Sequence, residues 1–445
     1  MTDAPDLLFI KDFFDKLQQQ CIKYCILRNA DEVENGDAHD VDMTVDASML
    51  PQTEAALSDT AKQHGWQLHL KTGKASDRQN IKCYHYFRID EEKEQIHIVH
   101  IDVFPTFSWK GIELLPNQAL VSDIQPNGLF TKAASHIEAV CNLFTRLLFN
   151  GYVKDKYKEG IQNTFLATPD KTKQTLRYFL SEEQTVQVYN LASSGQWSSI
   201  EQNRSLIVSC IKKTARHHKW NYFTYVMGKA LLRKGIVIAF QGTDGSGKST
   251  IIEGIPAVIG NSFSGDIIEY YHWRPGFLHP EKKYTADGQL LSNVQPHTKK
   301  PQSKIKSFAK MAFYTLDYIL GYYGRVYWQA AKGHLVVFDR YYYDFYMDKI
   351  RYRLSIGDNV VRFFSHFIPK PDVTFLLIGD AQQIYNRKPE LPVEEIQKQI
   401  DTLTRYKDKI SNPVIIDVNH SIPHVRFNVC RRILETLTKR AGKSN

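Results

Sequence analysis

The chain has 445 residues, 42% of them hydrophobic and 24% charged, and carries a net charge of +9. That is ordinary globular composition, long enough for two or three domains with ample core. The positive excess fits a protein that handles anionic ligands and does not by itself indicate nucleic acid.

Cysteines stand at 21, 25, 83, 141, 210 and 430 with no C-x-x-C pair. Neither a zinc site nor a disulfide framework is expected, and the thiols read as reduced ones of a cytosolic, hence cytoplasmic, protein. The first residues lack the basic and apolar regions of a signal peptide. No run approaches the ~18 apolar residues of a membrane span.

In chain order, Leu7–Gln20 has helical spacing at Leu8, Ile10, Phe13, Phe14 and Leu17. Tyr24–Leu27, Val41–Val45 and Gln95–Phe104 read as strands, and the acidic stretch Asp31–Ala38 as a loop. Helices are predicted over 136–149, 172–179, 182–192 and 207–232, with a loop at 193–196. From 234 onward strands (235–241, 267–272, 334–339, 373–379 and 414–417) alternate with helices after residue 248 and over 306–332, 394–407 and 424–440. Such alternation predicts a parallel sheet covered on both faces. There is no internal repeat. The expected segments are 1–135, 136–233 (a helical connector) and 234–445.

The strongest motif is Gly242-Thr243-Asp244-Gly245-Ser246-Gly247-Lys248-Ser249, a G-x-x-x-x-G-K-S loop between an apolar strand and a helix start. Its glycines let backbone N–H groups converge on phosphate. Gly242, Gly245, Ser246, Gly247, Lys248, Ser249 and Thr250 form the expected nucleotide cradle. Lys248 would reach the β- and γ-phosphates, and Ser249 would ligate Mg²⁺. ATP and Mg²⁺ are the implied cofactors.

Residues 234–440 resemble the thymidylate kinase-like branch of the P-loop nucleoside monophosphate kinases. The loop has that branch's G-x-D-G-x-G-K-S-T form. Arg274-Pro275-Gly276 is similar to its R-x-P-G element, one residue shorter, and Asp339-Arg340-Tyr341 matches its D-R-Y/H signature. Arg387-Lys388-Pro389-Glu390 looks like the start of its lid. The resemblance implies Asp339 as a metal ligand, Arg340, Arg274 and Tyr341 on the acceptor, and Arg387 closing over the triphosphate. If the acceptor is a hydroxyl, Asp244 is the candidate base. Asp417-Val418-Asn419-His420-Ser421 sits where such kinases approach the base.

Asp40-Val41-Asp42 is a D-x-D that alternation places on one face of a strand, and Asp102 lies on a later one. Three such carboxylates would hold a pair of metal ions against an NTP α-phosphate. The order of elements over 7–105 resembles the minimal nucleotidyltransferase fold, with Arg28-Asn29 where that family has a small-residue pair. Lysines 282, 283, 299, 300, 304, 306 and 310 form a basic stretch, either solvated loop or a patch for an anionic partner.

The expected protein is therefore a multidomain α/β one: an α+β nucleotidyltransferase-like domain, a helical connector and a P-loop parallel-sheet kinase domain. The expected activity is phosphotransfer to a small acceptor, a nucleotide, nucleoside or sugar. Alternatives are a P-loop ATPase switch, or a nucleotidyltransferase acting on a macromolecule beside a kinase-like regulatory domain. A homodimer is left open.

Overall fold

The computed structural model describes residues 5–36, 40–71, 81–214, 218–231, 233–263, 268–278 and 301–442. It divides into two compact units: 1–88 with 97–229 and 441–445, and 89–96 with 230–440. Among the described residues no helix is long and apolar enough to cross a membrane.

In the first unit the helix Pro5–Gln19 buries Phe9, Ile10, Phe13, Phe14 and Leu17, the residues its spacing singled out. The strands are β1 (Tyr24–Ile26), β2 (Asp40–Val45), β3 (Gln67–Lys71), β4 (Lys82–Asp90), β5 (Gln95–Val103), β6 (Phe107–Trp109), β7 (Ile112–Leu115), β8 (Gln125–Asn127) and β9 (Phe130–Lys132). Among the described residues, seven of them form one sheet in the order β3-β4-β5-β2-β1-β9-β8, while β6 and β7 pair separately. The first helix packs on this sheet through Val41, Met43, Val99, Ile101 and Val103. The expected loop at 31–38 is in part a short helix, Ala30–Glu34, because Ala30 and Val33 find core to cover. Helices between 135 and 214 bury Leu143, Phe144, Ile161, Val188 and Ile211 in one core with Cys25, Leu27 and Phe104 from the strand region. The expected helix 207–232 is two, Arg204–Thr214 and His218–Leu231, with 215–217 outside the described residues.

The second unit holds β10 (Ile236–Gln241), β11 (Ile268–Tyr271), β12 (Leu335–Asp339), β13 (Val373–Ile378) and β14 (Pro413–Asp417). Neighbouring strands are parallel, in the order β11-β12-β10-β13-β14. All residues of β10 and β12 are buried, as a strand covered on both faces requires. The expected helix 306–332 is one run, Lys304–Gly321, a π-helical turn at Tyr322–Val326, then Tyr327–Ala331. Residues 279–300 of the basic stretch lie outside the described residues. Lys310 is spent on the Tyr352 carbonyl at 2.8 Å. The chain reverses direction across the sheet at β10, so the crevice beyond its carboxyl end is where a ligand of such a sheet sits.

Candidate functional site

The loop after β10 opens on that crevice. Gly245 (φ +88) and Gly247 (φ +85) occupy the left-handed region, and Gly247 caps the helix Lys248–Ile259. Side chains disfavour both conformations, so the backbone can curl with its N–H groups turned inward only because these residues are glycine. A Cβ on Gly245 would also press on the Ile384 carbonyl at 3.1 Å and on the Lys388 Cβ at 3.2 Å. Lys248 is buried, and its ammonium donates to the carbonyls of Gly242 at 3.0 Å and Thr243 at 2.8 Å. The Thr243 and Ser246 hydroxyls are buried with no hydrogen-bond partner. Ser249 and Thr250 are exposed at the start of the helix.

Burial, then the nearby Arg340, pushes the Lys248 ammonium down to about 8. A triphosphate needs this group charged. Nucleotide affinity should therefore be flat below pH 8 and weaken above it, by up to about tenfold per pH unit while the bound form keeps its proton. Calorimetric titration of ATP at pH 7, 8 and 9 checks this, and an equal affinity at all three would sink it.

Asp339 ends β12 beside Phe240 of β10. One of its oxygens accepts the Tyr270 hydroxyl at 2.9 Å, and the other is buried with no hydrogen-bond partner. Next to it Arg340 takes a left-handed backbone conformation, φ +73, held by its N–H on the Phe240 carbonyl at 3.0 Å. Such a conformation costs a non-glycine residue about 1–2 kcal/mol. Here it delivers the guanidinium to two carboxylates: Asp344, at 3.1 Å, and Asp244. Arg351 holds the other oxygen of Asp244 at 2.6 Å.

Three of the expected site residues are engaged by partners within the protein. Burial alone would raise the Asp244 carboxyl, but Arg340, Arg351 and Lys248 outweigh it and hold the group well below the usual carboxylate range. A carboxylate so stabilised is a poor proton acceptor and a good clamp. Tyr341 leaves the acceptor side altogether. It is buried against Phe338 and Tyr318, with its hydroxyl on the Pro369 carbonyl at 2.6 Å. Arg387 ends the helix Ala381–Arg387 and donates to the Val418 carbonyl at 2.8 Å, while its neighbour Lys388 is the residue beside Gly245.

Arg274 is engaged too. Its guanidinium meets the buried Asp317 at 2.8 Å, and the same carboxylate accepts the N–H groups of Gly276 and Leu278. Sequence reasoning missed Arg351, Asp344 and Lys388. Lys388 stood in the quoted lid motif and Asp344 stands only four residues beyond Arg340, whereas Arg351 carries no local signal, since only the fold brings it to Asp244.

In the first unit, β2 runs parallel to β5, with Asp42 opposite Asp102 and Asp40 opposite His100. The acidic trio expected from the sequence thus lies on two neighbouring strands. Asp42 is committed: Arg28 reaches its carboxylate at 2.5 Å. Burial dominates and raises the Asp42 carboxyl, against the pull of Arg28 and with the push of Asp102 and Asp40. Asn29, also left-handed at φ +58, begins a cavity of about 420 Å³ lined by Lys132, Glu138, Asn142, Lys156 and Tyr157 among others.

No protein-family model matches the chain, and no curated protein matches it. Among solved structures, a thymidylate kinase from Ehrlichia chaffeensis is similar over 44% of this chain and 98% of its own length, at 16% identity and a TM-score of 0.29. At that level the fold of the second unit rests on its own sheet and loop: a parallel α/β layer with a phosphate-loop turn after its central strand.

Proposed function

We propose that the second unit transfers the γ-phosphoryl group of ATP to a small acceptor, in the manner of a thymidylate kinase-like enzyme. The observation that carries this reading is the meeting of Lys248 and the glycine turn with Asp339, whose buried oxygen has no hydrogen-bond partner, at the carboxyl ends of β10 and β12. Those groups fit a Mg²⁺–triphosphate. Ser249 and Asp339 would hold the ion, whose charge neutralises the phosphoryl oxygens. The chain's own part is positioning and charge. Lys248 exchanges two loop carbonyls for phosphate oxygens, and the glycine turn offers its N–H groups. Arg340 and Arg351, fixed by Asp244 and Asp344, would add positive charge beside the phosphates.

The acceptor we favour is a nucleoside monophosphate. Its phosphate oxygen is already ionised and needs no base, and Asp244 is engaged by Arg340 and Arg351. Phosphotransfer from γ-labelled ATP to monophosphates, nucleosides and sugars tests this. Label is expected on a monophosphate, absent in Lys248→Ala and retained in Asp40→Ala/Asp42→Ala. ATP turnover at the same rate with and without every acceptor would replace the reading by that of a hydrolytic switch.

For the first unit we propose a nucleotidyltransferase-type site, supported by Asp42 standing opposite Asp102. Arg28 would supply by charge the triphosphate contact that a small-residue pair leaves to backbone. Its ion pair with Asp42 must open before that carboxylate can hold metal. Labelled nucleoside monophosphate moving from an NTP onto an acceptor, and lost in Asp40→Ala/Asp42→Ala, is the matching test.

A further inference from the structure

One face of the first unit's sheet carries more chemistry than an acidic trio uses. Cys83 and His85 are two apart on β4, and His100 and Asp102 two apart on the neighbouring β5, so each pair shares a face. Cys83, His85 and Asp102 each offer an atom (a sulfur, a ring nitrogen and a carboxylate oxygen) that lies within 4.8 Å of the other two. The His85 ring stacks on His100 with centroids 3.7 Å apart, and His69 meets His85 edge-on at 5.9 Å.

His69 stands where the β3–β4 register slips between Leu68 and Leu70. A bulge of this kind turns a side chain toward a place the regular pleat would not reach. The ring is fully buried, and neither of its nitrogens has a hydrogen-bond partner. His100 lies 2.7 Å from Asp40 through one nitrogen, while its other nitrogen is buried without a hydrogen-bond partner. Each such buried polar atom costs about 1–3 kcal/mol when left unsatisfied. A hydrophobic residue at 69 or 100 would avoid that cost, so packing alone does not account for the cluster.

We propose that Cys83, His85 and Asp102 bind a divalent transition-metal ion of the zinc type, with water as the fourth ligand. The donor set selects the ion. Thiolate and imidazole suit zinc and its neighbours, whereas Mg²⁺ takes oxygen ligands alone. Two ligands of a tetrahedral zinc ion stand roughly 3.3–3.6 Å apart, so a small contraction from the present spacing closes the shell. Binding draws the proton from the Cys83 thiol, so affinity falls as pH falls. It also occupies Asp102, the third member of the acidic trio, and thereby sets which cations the neighbouring Asp40 and Asp42 can take. Nothing in the phosphotransfer of the second unit depends on this site.

The test uses the full chain, stripped with chelator and titrated with Co²⁺. One equivalent is expected to bind with a thiolate-to-cobalt charge-transfer band and the visible absorption of a four-coordinate ion, both displaced by Zn²⁺ and untouched by excess Mg²⁺. Cys83→Ser should remove the charge-transfer band, His85→Ala should weaken binding by about tenfold or more, and Cys21→Ser should change nothing. The wild-type spectrum decides even if a variant fails to fold. Absence of the charge-transfer band from the wild type overturns the proposal, as does its persistence in Cys83→Ser or its displacement by Mg²⁺.

Discussion

Lys248→Ala is expected to lower kcat/KM for phosphotransfer on the order of a thousandfold or more, which is about 4 kcal/mol of transition-state stabilisation. The fold should survive. In the free protein the ammonium is buried and bonded to the carbonyls of Gly242 and Thr243. Its proton affinity is already lowered to about 8, so the folded state holds this charge against the cost of burial. An unfolded chain binds that proton more tightly than the folded one between pH 8 and the ordinary lysine range, so this group's destabilising effect is full below pH 8 and is relieved as pH rises through that window. Alanine removes both the charge and its cost. Thermal unfolding at neutral pH should then show a midpoint equal to or above that of the parent while turnover collapses. Phosphotransfer within tenfold of the parent would end the assignment of the loop as the phosphate cradle.

Much of this site was legible because it is written in contiguous residues. A glycine turn between an apolar strand and a helix is a local event, and so is an aspartate at the end of an apolar strand. That is why the loop, β10 and β12 were readable from spacing, while Asp339 was singled out by the motif resemblance. What was not readable depends on residues far apart in sequence. Asp244 was the candidate base for a hydroxyl acceptor, and its partners Arg340 and Arg351 come from beyond β12. The resemblance placed Tyr341 on the acceptor. The left-handed turn at Arg340 sends the next side chain into the core instead.

In the first unit, the helix and the strands β1, β2 and β5 show clear periodicity and were expected. β3 and β4 were missed, since their alternation is interrupted by polar residues and a bulge. The cysteine spacing argued against a zinc site, yet Cys83 finds His85 two residues along its own strand and Asp102 on the next. Ligand spacing along the chain would identify a metal site built on one loop, not one spread across a sheet such as the site proposed above.

Arg274→Met should destabilise the protein by about 3–5 kcal/mol, because it breaks a buried ion pair and leaves the other charge in place. Asp317 has no exposed surface, and without Arg274 its carboxylate keeps only the N–H groups of Gly276 at 3.1 Å and Leu278 at 2.7 Å. The resemblance assigned Arg274 to an acceptor phosphate, whereas the ion pair gives it the task of pinning the turn that follows β11.

The two roles separate in a double variant. Arg274→Met with Asp317→Asn removes both charges and keeps an acceptor for the two N–H groups, so most of the lost stability should return. If Arg274 only pins the turn, that stable double variant retains the acceptor KM of the parent to within about threefold. If Arg274 also grips the acceptor, stability returns but KM does not, and the defect appears with a monophosphate acceptor while the KM for ATP is unchanged. Urea unfolding and steady-state kinetics on the same two proteins measure both quantities. A single Arg274→Met variant as stable as the parent would show that Asp317 does not need its partner.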